Sequence, residues 1–228
     1  MQKEKTGIRK KPVVRFENKL FDVDITNLAE AQTNLFMTII SQINETEDLV
    51  VKISREELRN LSDYWNCTKA EFSAAMEAMR EKLSLLYLKE DPVWGAWYPV
   101  FGKTEVDKDY KFLLFELNPL SVSLFRNLTK CYTQVPLRKF LKIRGVYAKR
   151  ICLHLLKFKT TGYWTIGMEG FKNRIGVPKS YSSHKIKQKI LDPSIKELSP
   201  LFPGLEVTPT YGGKRNRTIV GYEFRFEK

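Results

Sequence analysis

Between Leu28 and Ile43, apolar residues recur at helical spacing: Leu28, Ala31, Leu35, Phe36, Ile39, Ile40 and Ile43 share one broad face. Leu49–Ile53 then reads as a short strand. Ser54 follows, with Glu57 three residues on. This is the reciprocal hydroxyl–carboxylate arrangement that caps a helix start, here for Arg55–Leu61. After a loop, Ser62–Cys67, Thr68 and Glu71 repeat that cap. The helix they open places Phe72, Ala75, Met76, Met79, Leu83 and Leu86 within about 100° of arc at ~3.6 residues per turn. Two strand-like runs, Ala96–Lys103 and Tyr110–Leu117, flank a charged turn at Glu105–Asp109. Asn118-Pro119 predicts one more helix, with proline in its first turn.

The same order returns after Thr129–Lys139. A helix is predicted over Phe140–Phe158, striped by Ile143, Val146, Tyr147, Ile151, Leu155 and Phe158. Tyr163–Ile166 reads as a strand, Met168–Ile175 as a short helix that Gly176 stops, and Ser182–Leu198 as a long helix. Strands Leu205–Tyr211 and Thr218–Phe226 follow, joined by the turn Gly212–Arg217. Proline inside a helix costs ~3 kcal/mol, through a lost hydrogen bond and a clash with the carbonyl four residues back. Asp192-Pro193 therefore predicts a kink that redirects Lys196–Leu198 onto the hairpin, with a break as the alternative. Helix, strand, helix, long helix and hairpin is the order of a winged helix-turn-helix. Two copies of it predict an α+β chain of tandem winged helix-turn-helix domains.

Charge divides the two copies. Residues 131–228 hold 20 Lys and Arg against 6 Asp and Glu, a net of +14, whereas residues 1–130 hold 19 against 20, a net of −1. The expected organisation is a basic flexible tail over 1–15, an N-terminal winged-helix domain over 16–130 and a C-terminal one over 131–228. The basic part calls for a polyanion, nucleic acid first and an acidic membrane second. No run approaches the ~18 apolar residues of a membrane span. The charged N-terminus lacks the apolar stretch of a secretory signal. Cys67, Cys131 and Cys152 are odd in number and scattered, which fits a reducing compartment and a cytoplasmic protein.

In a helix-turn-helix, the second helix enters the major groove and its outward face meets base edges. On Ser182–Leu198, Ile186 and Ile190 face inward, so Lys185, Gln188 and Lys189 face outward, flanked by His184 and Lys187. Lysine donates to guanine O6/N7, and glutamine bonds adenine bidentately. The alternative is a solvated helix face, but these cations lack a glutamate four residues away to offset their repulsion. Lys179, Ser182 and Ser183 lie at the helix N-terminus, where hydroxyls and amides suit phosphate. The hairpin tip Lys214, Arg215, Asn216 and Arg217 is a second contact, suited to the DNA backbone or minor groove. On the N-terminal long helix, only Lys69, Ser73 and Arg80 form a basic or polar line, beside Glu71, Glu77 and Glu81. Auxiliary DNA contact and a protein–protein role both remain open for that module.

Several runs carry a family resemblance: Tyr147-Ala148-Lys149-Arg150-Ile151, Leu155-Leu156-Lys157, Gly162-Tyr163-Trp164, Ile175-Gly176-Val177 and, most tellingly, Leu191-Asp192-Pro193-Ser194-Ile195-Lys196-Glu197-Leu198. Together with Asn27-Leu28, Ala31-Gln32 and Leu35-Phe36, they resemble the initiator replication proteins of iteron-controlled bacterial plasmids, the Rep_3 family, over nearly the whole chain. The resemblance implies two winged-helix domains in a bacterial cytoplasmic protein that binds directly repeated double-stranded DNA at a plasmid origin. It further implies strand opening and recruitment of host replication proteins such as a helicase or initiator. A monomer–dimer equilibrium is implied too, with dimers formed through the N-terminal domain repressing the protein's own gene and serving copy control. A tandem winged-helix transcriptional regulator shares every physical feature above and is separated only by the resemblance.

Catalysis is not expected. His154 and His184 form no His-x-His metal pair, Cys152 and His154 do not share a helix face, and no Gly-x-x-x-x-Gly-Lys-Ser/Thr loop is present. No cofactor, metal, small-molecule substrate or membrane partner is expected. A membrane-surface role would need an amphipathic helix with a Trp, Phe and Leu face.

Overall fold

The computed structural model describes residues 13–57, 68–89, 97–109, 111–213 and 218–228. Strand β1 (Val13–Glu17) leads through a 3-10 turn (Asn18–Asp22) to α1 (Glu30–Glu45), β2 (Val50–Ser54) and α2 (Lys69–Ser84). Strands β3 (Tyr87–Lys89), β4 (Trp97–Pro99), β5 (Phe101–Val106) and β6 (Phe112–Leu117) follow, then a 3-10 turn (Pro119–Leu124) and β7 (Tyr132–Pro136). The second half holds α3 (Leu137–Lys142), α4 (Val146–Lys157), β8 (Tyr163–Gly167) and α5 (Met168–Ile175). A helix over 183–198 comes next, made of α6 (Ser183–Ile186), a π turn (Lys187–Leu191) and α7 (Asp192–Leu198). Strands β9 (Glu206–Gly212) and β10 (Thr218–Arg225) close the chain.

Sheet topology reveals the repeat plainly. In the first half β2, the strand before the long helix, joins the hairpin β5–β6 on β6; in the second half β8 joins β9–β10 on β10. All these pairings are antiparallel. Each half is thus a three-stranded sheet under a helical layer, and a single apolar core runs through both. The expected cap on α2 forms: Thr68 N–H donates to Glu71 Oε2 at 2.9 Å, and Glu71 N–H returns to Thr68 Oγ1 at 3.3 Å. Ser54 and Glu57 make the same exchange, at 2.7 and 3.1 Å. Phe72, Met76, Met79, Leu83 and Leu86 are all buried, as their spacing requires.

Strands β3 and β7 are unpredicted, the expected strand Ala96–Lys103 is divided into β4 and β5, and a 3-10 turn stands in place of a helix at Pro119. Three further differences bear on the second half and its join to the first. The single helix over Phe140–Phe158 is two, because Gly145 adopts φ 87° between α3 and α4, a conformation that lets the chain turn. Residues 13–15 of the expected tail lie in β1, which pairs with β7 from Val13↔Pro136 to Glu17↔Tyr132. The helix over 183–198 neither kinks onto the hairpin nor breaks at Asp192-Pro193. Instead, Asp192 N–H donates to the Lys187 carbonyl five residues back, and the π turn absorbs the bond that proline cannot make. Beyond it, α7 packs on α4, and Glu197 Oε1 accepts from Arg144 N–H at 2.8 Å.

Helix α4 is the junction between the two halves. Arg150, 5% exposed, donates through Nη1 to the Ile175 carbonyl (2.7 Å) and through Nη2 to those of Thr26 (2.6 Å) and Leu28 (3.0 Å). Gly145 N–H, just before α4, donates to Glu30 Oε2 at the start of α1 (2.8 Å). An aromatic column runs through the same place: Phe21 to His154 (5.1 Å between centroids), His154 to Trp164 (4.8 Å) and Trp164 to Phe224 (4.8 Å).

Candidate nucleic-acid interface

The second long helix is presented by a braced turn. Gly176 ends α5 in the left-handed conformation (φ 71°, ψ 40°), and a Cβ there would come within 2.5 Å of Arg150 Nη1. Lys172 Nζ then bonds the carbonyls of Lys179 (3.1 Å) and Tyr181 (2.9 Å), fixing the connection. Ser182 caps the helix, its Oγ accepting from Lys185 N–H at 3.3 Å. Ile186 and Ile190 are buried, and His184, Lys185, Lys187, Gln188 and Lys189 are exposed.

Those exposed residues are not equivalent. Lys187 Nζ lies 2.6 Å from Asp192 Oδ1, an ion pair on the segment that the π turn rewinds. The sequence reading left this cation unanswered because it considered partners at four residues, not five. The Lys185 ammonium sits 4.2 Å from the centre of the Tyr181 ring. Lys185 and Lys189 make no ion pair among the described residues, so the outward face presents two uncompensated cations with Gln188 beside them. Lys179 is exposed on the preceding turn and Ser183 is half-buried. Lys214, Arg215, Asn216 and Arg217 lie outside the described residues. The hairpin that carries them is set by β9 and β10, with Gly213 at φ 73°.

The first long helix, α2, differs at the matching place. Arg80 Nε is bound to Glu77 Oε2 at 2.9 Å, and Ser73 is half-buried. Lys69 is the first residue of α2. Hydrogen bonds from Thr68 hold the Glu71 carboxyl below its ordinary range, so it stays charged at the helix start.

Sequence reasoning missed the buried cations of α4, although Arg150 lies on its apolar stripe, three residues after Tyr147. Burial pulls the Lys149 ammonium down to about 8, even though it bonds the carbonyls of Phe140 (2.9 Å) and Leu141 (3.4 Å) at the end of α3. Burial, then the nearby cations Arg174 and Lys157, push His154 down to about 3; burial raises the Cys152 thiol to about 12. His154 is therefore a neutral stacked ring and Cys152 an inert core thiol. Among the described residues, no group of three or more His, Cys, Asp and Glu could hold a metal ion, and no helix is long and apolar enough to cross a membrane.

Two family models match. The first winged-helix domain of the initiator replication protein family (WH1) covers residues 13–156, and its second (WH2) covers residues 167–226. The chain belongs to the initiator replication protein family. Its fold is also similar to a solved structure, the Pi initiator protein in complex with iteron DNA. The TM-score is 0.72 at 16% identity, over 96% of this chain and 98% of that one. No curated protein sequence matches the chain at a significant level. The two winged helices expected from element order are thus both found, with the family model divided between Lys157 and Ile166.

Proposed function

We propose that this initiator starts plasmid replication by binding directly repeated double-stranded DNA, the iterons of an origin. On this reading, it promotes strand opening there, recruits host replication proteins and represses its own gene as a dimer. The observation that carries the DNA contact is the outward face of the 183–198 helix: Lys185, Gln188 and Lys189 exposed above buried Ile186 and Ile190. Membership of the family, and likeness to an initiator crystallised with iteron DNA, support the choice of repeats as target. His184 and Lys187 flank that face, and Lys179, Ser182 and Ser183 would meet phosphates. The wing residues Lys214, Arg215, Asn216 and Arg217 would add backbone contacts, and Lys69, Ser73 and Arg80 would supply an auxiliary contact. The change of charge at 130/131 then marks a division of labour: dimerisation before it and most of the DNA affinity after it.

Footprinting on the DNA beside the gene tests this. Protection is expected over tandem direct repeats, with affinity falling roughly 10³–10⁵-fold between 50 and 200 mM salt, as six to ten phosphate contacts require. A flat salt titration rules the phosphate-dominated mode out. Protection of a lone inverted repeat instead would make the chain a regulator.

A further inference from the structure

Lysines outside the DNA face gather elsewhere on the molecule. A cleft of about 790 Å³ lies between β7, the C-terminal half of α4 and the segment after α7. Lys130, Lys139, Lys157 and Lys159 line it, and no Asp or Glu does among the described residues. Lys130, Lys139 and Lys159 are exposed. The walls between them are apolar, from Phe140, Leu156 and Phe202. Leu201 and Phe202 follow the C-terminal end of the 183–198 helix, whereas Lys185–Lys189 lie near its start. At 1.5 Å per residue these ends are on the order of 20 Å apart. The cleft and the recognition face are therefore separate surfaces.

Beside it runs an unsealed strand edge. Among the described residues β7 pairs with β1 alone. Asn18 N–H donates to the Cys131 carbonyl at 2.8 Å, so by the alternation of an antiparallel ladder Tyr132 and Gln134 turn their backbone groups away from β1. Both residues line the cleft. The opposite edge is closed: Asn44 accepts from Arg15 N–H (2.7 Å) and donates to the Arg15 carbonyl (2.9 Å), occupying the groups another strand would take. One edge is blocked by a side-chain amide and the other faces a lysine-lined cleft. Folded proteins ordinarily close such edges.

We propose that this cleft docks an acidic, extended segment of a partner protein, which adds as a strand beside β7 with carboxylates against Lys130, Lys139 and Lys159. Main-chain bonds give such strand addition its affinity, and alternate side chains its specificity. The apolar walls suit the intervening side chains of a peptide better than a sugar–phosphate chain. The proposal does not rest on which DNA the other face reads.

The test uses the full chain and a short fluorescent peptide of alternating glutamate and valine, followed by anisotropy. Saturable binding is expected. It should weaken at least about tenfold in the triple variant K130E/K139E/K159E and disappear when alternate peptide nitrogens are methylated. K185A/K189A should keep peptide binding while losing DNA binding, and the triple variant should keep its DNA footprint, so failure on one face is distinct from failure on the other. No saturable binding overturns the proposal. So does binding indifferent to methylation, which would mean charge contact without strand addition. Displacement of the peptide by a single-stranded oligonucleotide, lost in the same lysine variant, would assign the cleft to nucleic acid instead.

Discussion

The two long helices occupy the same place in the two winged helices and use charge in opposite ways. On α2, Arg80 is held by Glu77, Glu71 caps the helix start, and Lys82 donates to the Asn27 carbonyl (2.6 Å) and Gln32 Oε1 (2.9 Å). On the 183–198 helix, among the described residues, only Lys187 has an acidic partner, while Lys185 and Lys189 face outward without one. Topology fixes which helix face is exposed. Side-chain chemistry then decides whether that face is neutral or attracts a polyanion. The fold alone would suggest two equal readers, and in the proposed DNA contact the charges favour the second.

The interiors differ as well. Among the described residues, the buried polar side chains within the first module (Thr33, Asn34, Thr38, Ser41 and Ser121) carry no charge, whereas α4, at the junction with the second, buries Lys149, Arg150 and His154. The largest expected effect follows from His154. Its folded value of about 3 lies below the ordinary 6.5, so between these limits the unfolded chain binds more protons. Stability should fall by up to about 1.4 kcal/mol per pH unit as pH drops from 6.5 toward 3. Because His154 stacks on Trp164 of β8, hydrogen exchange should show β8 and β10 losing protection before β2, β5 and β6. H154Q should flatten the dependence. Equal loss in both sheets would erase the distinction between the interiors.

The next effect concerns the outward faces. Lys185→Ala, Gln188→Ala or Lys189→Ala should each weaken binding to repeats by ~1–3 kcal/mol, with less loss on scrambled DNA if the side chains reach bases. Lys187→Ala should cost less, because its ammonium is already paired with Asp192. Quantitative gel-shift titration on both DNAs measures the differences. If Lys187 proves the most costly of the four, the ion pair does not persist in solution.

Much of this was legible because it is local. Thr68 with Glu71, Ser54 with Glu57, and the spacing of Phe72, Met76, Met79 and Leu83 depend on residues within a turn or two, and they appear as expected. What escaped depends on distant chain. β7 exists because β1 lies beside it, more than a hundred residues earlier, and nothing in Tyr132–Pro136 announces that partner. Arg150 sits on an apolar stripe, but its partners are not legible until Thr26, Leu28 and Ile175 are folded around it. The π turn escaped for another reason. Pro193 signalled a defect, but proline chemistry allows a kink, a break or one extra residue per turn, and the packing of α7 on α4 selects the last.

The smallest effect is the one that bears most directly on the first helix. Arg80 and Glu77 are both well exposed, at 49% and 44% of their side-chain surface, so their ion pair contributes at most a few tenths of a kcal/mol to folding. Arg80→Ala should therefore leave stability within ~0.5 kcal/mol of the parent, and if α2 stands away from DNA it should leave DNA affinity unchanged too. Glu77→Gln separates the two roles of that helix. It removes the anion that answers Arg80 without removing the cation. Should α2 lie along the phosphates, affinity would rise and the salt dependence would steepen by about one counterion. Should it serve as a protein platform, both would stay fixed. A steeper salt slope in Glu77→Gln would show that the first winged helix is a restrained reader, its cation held in check by its own neighbour.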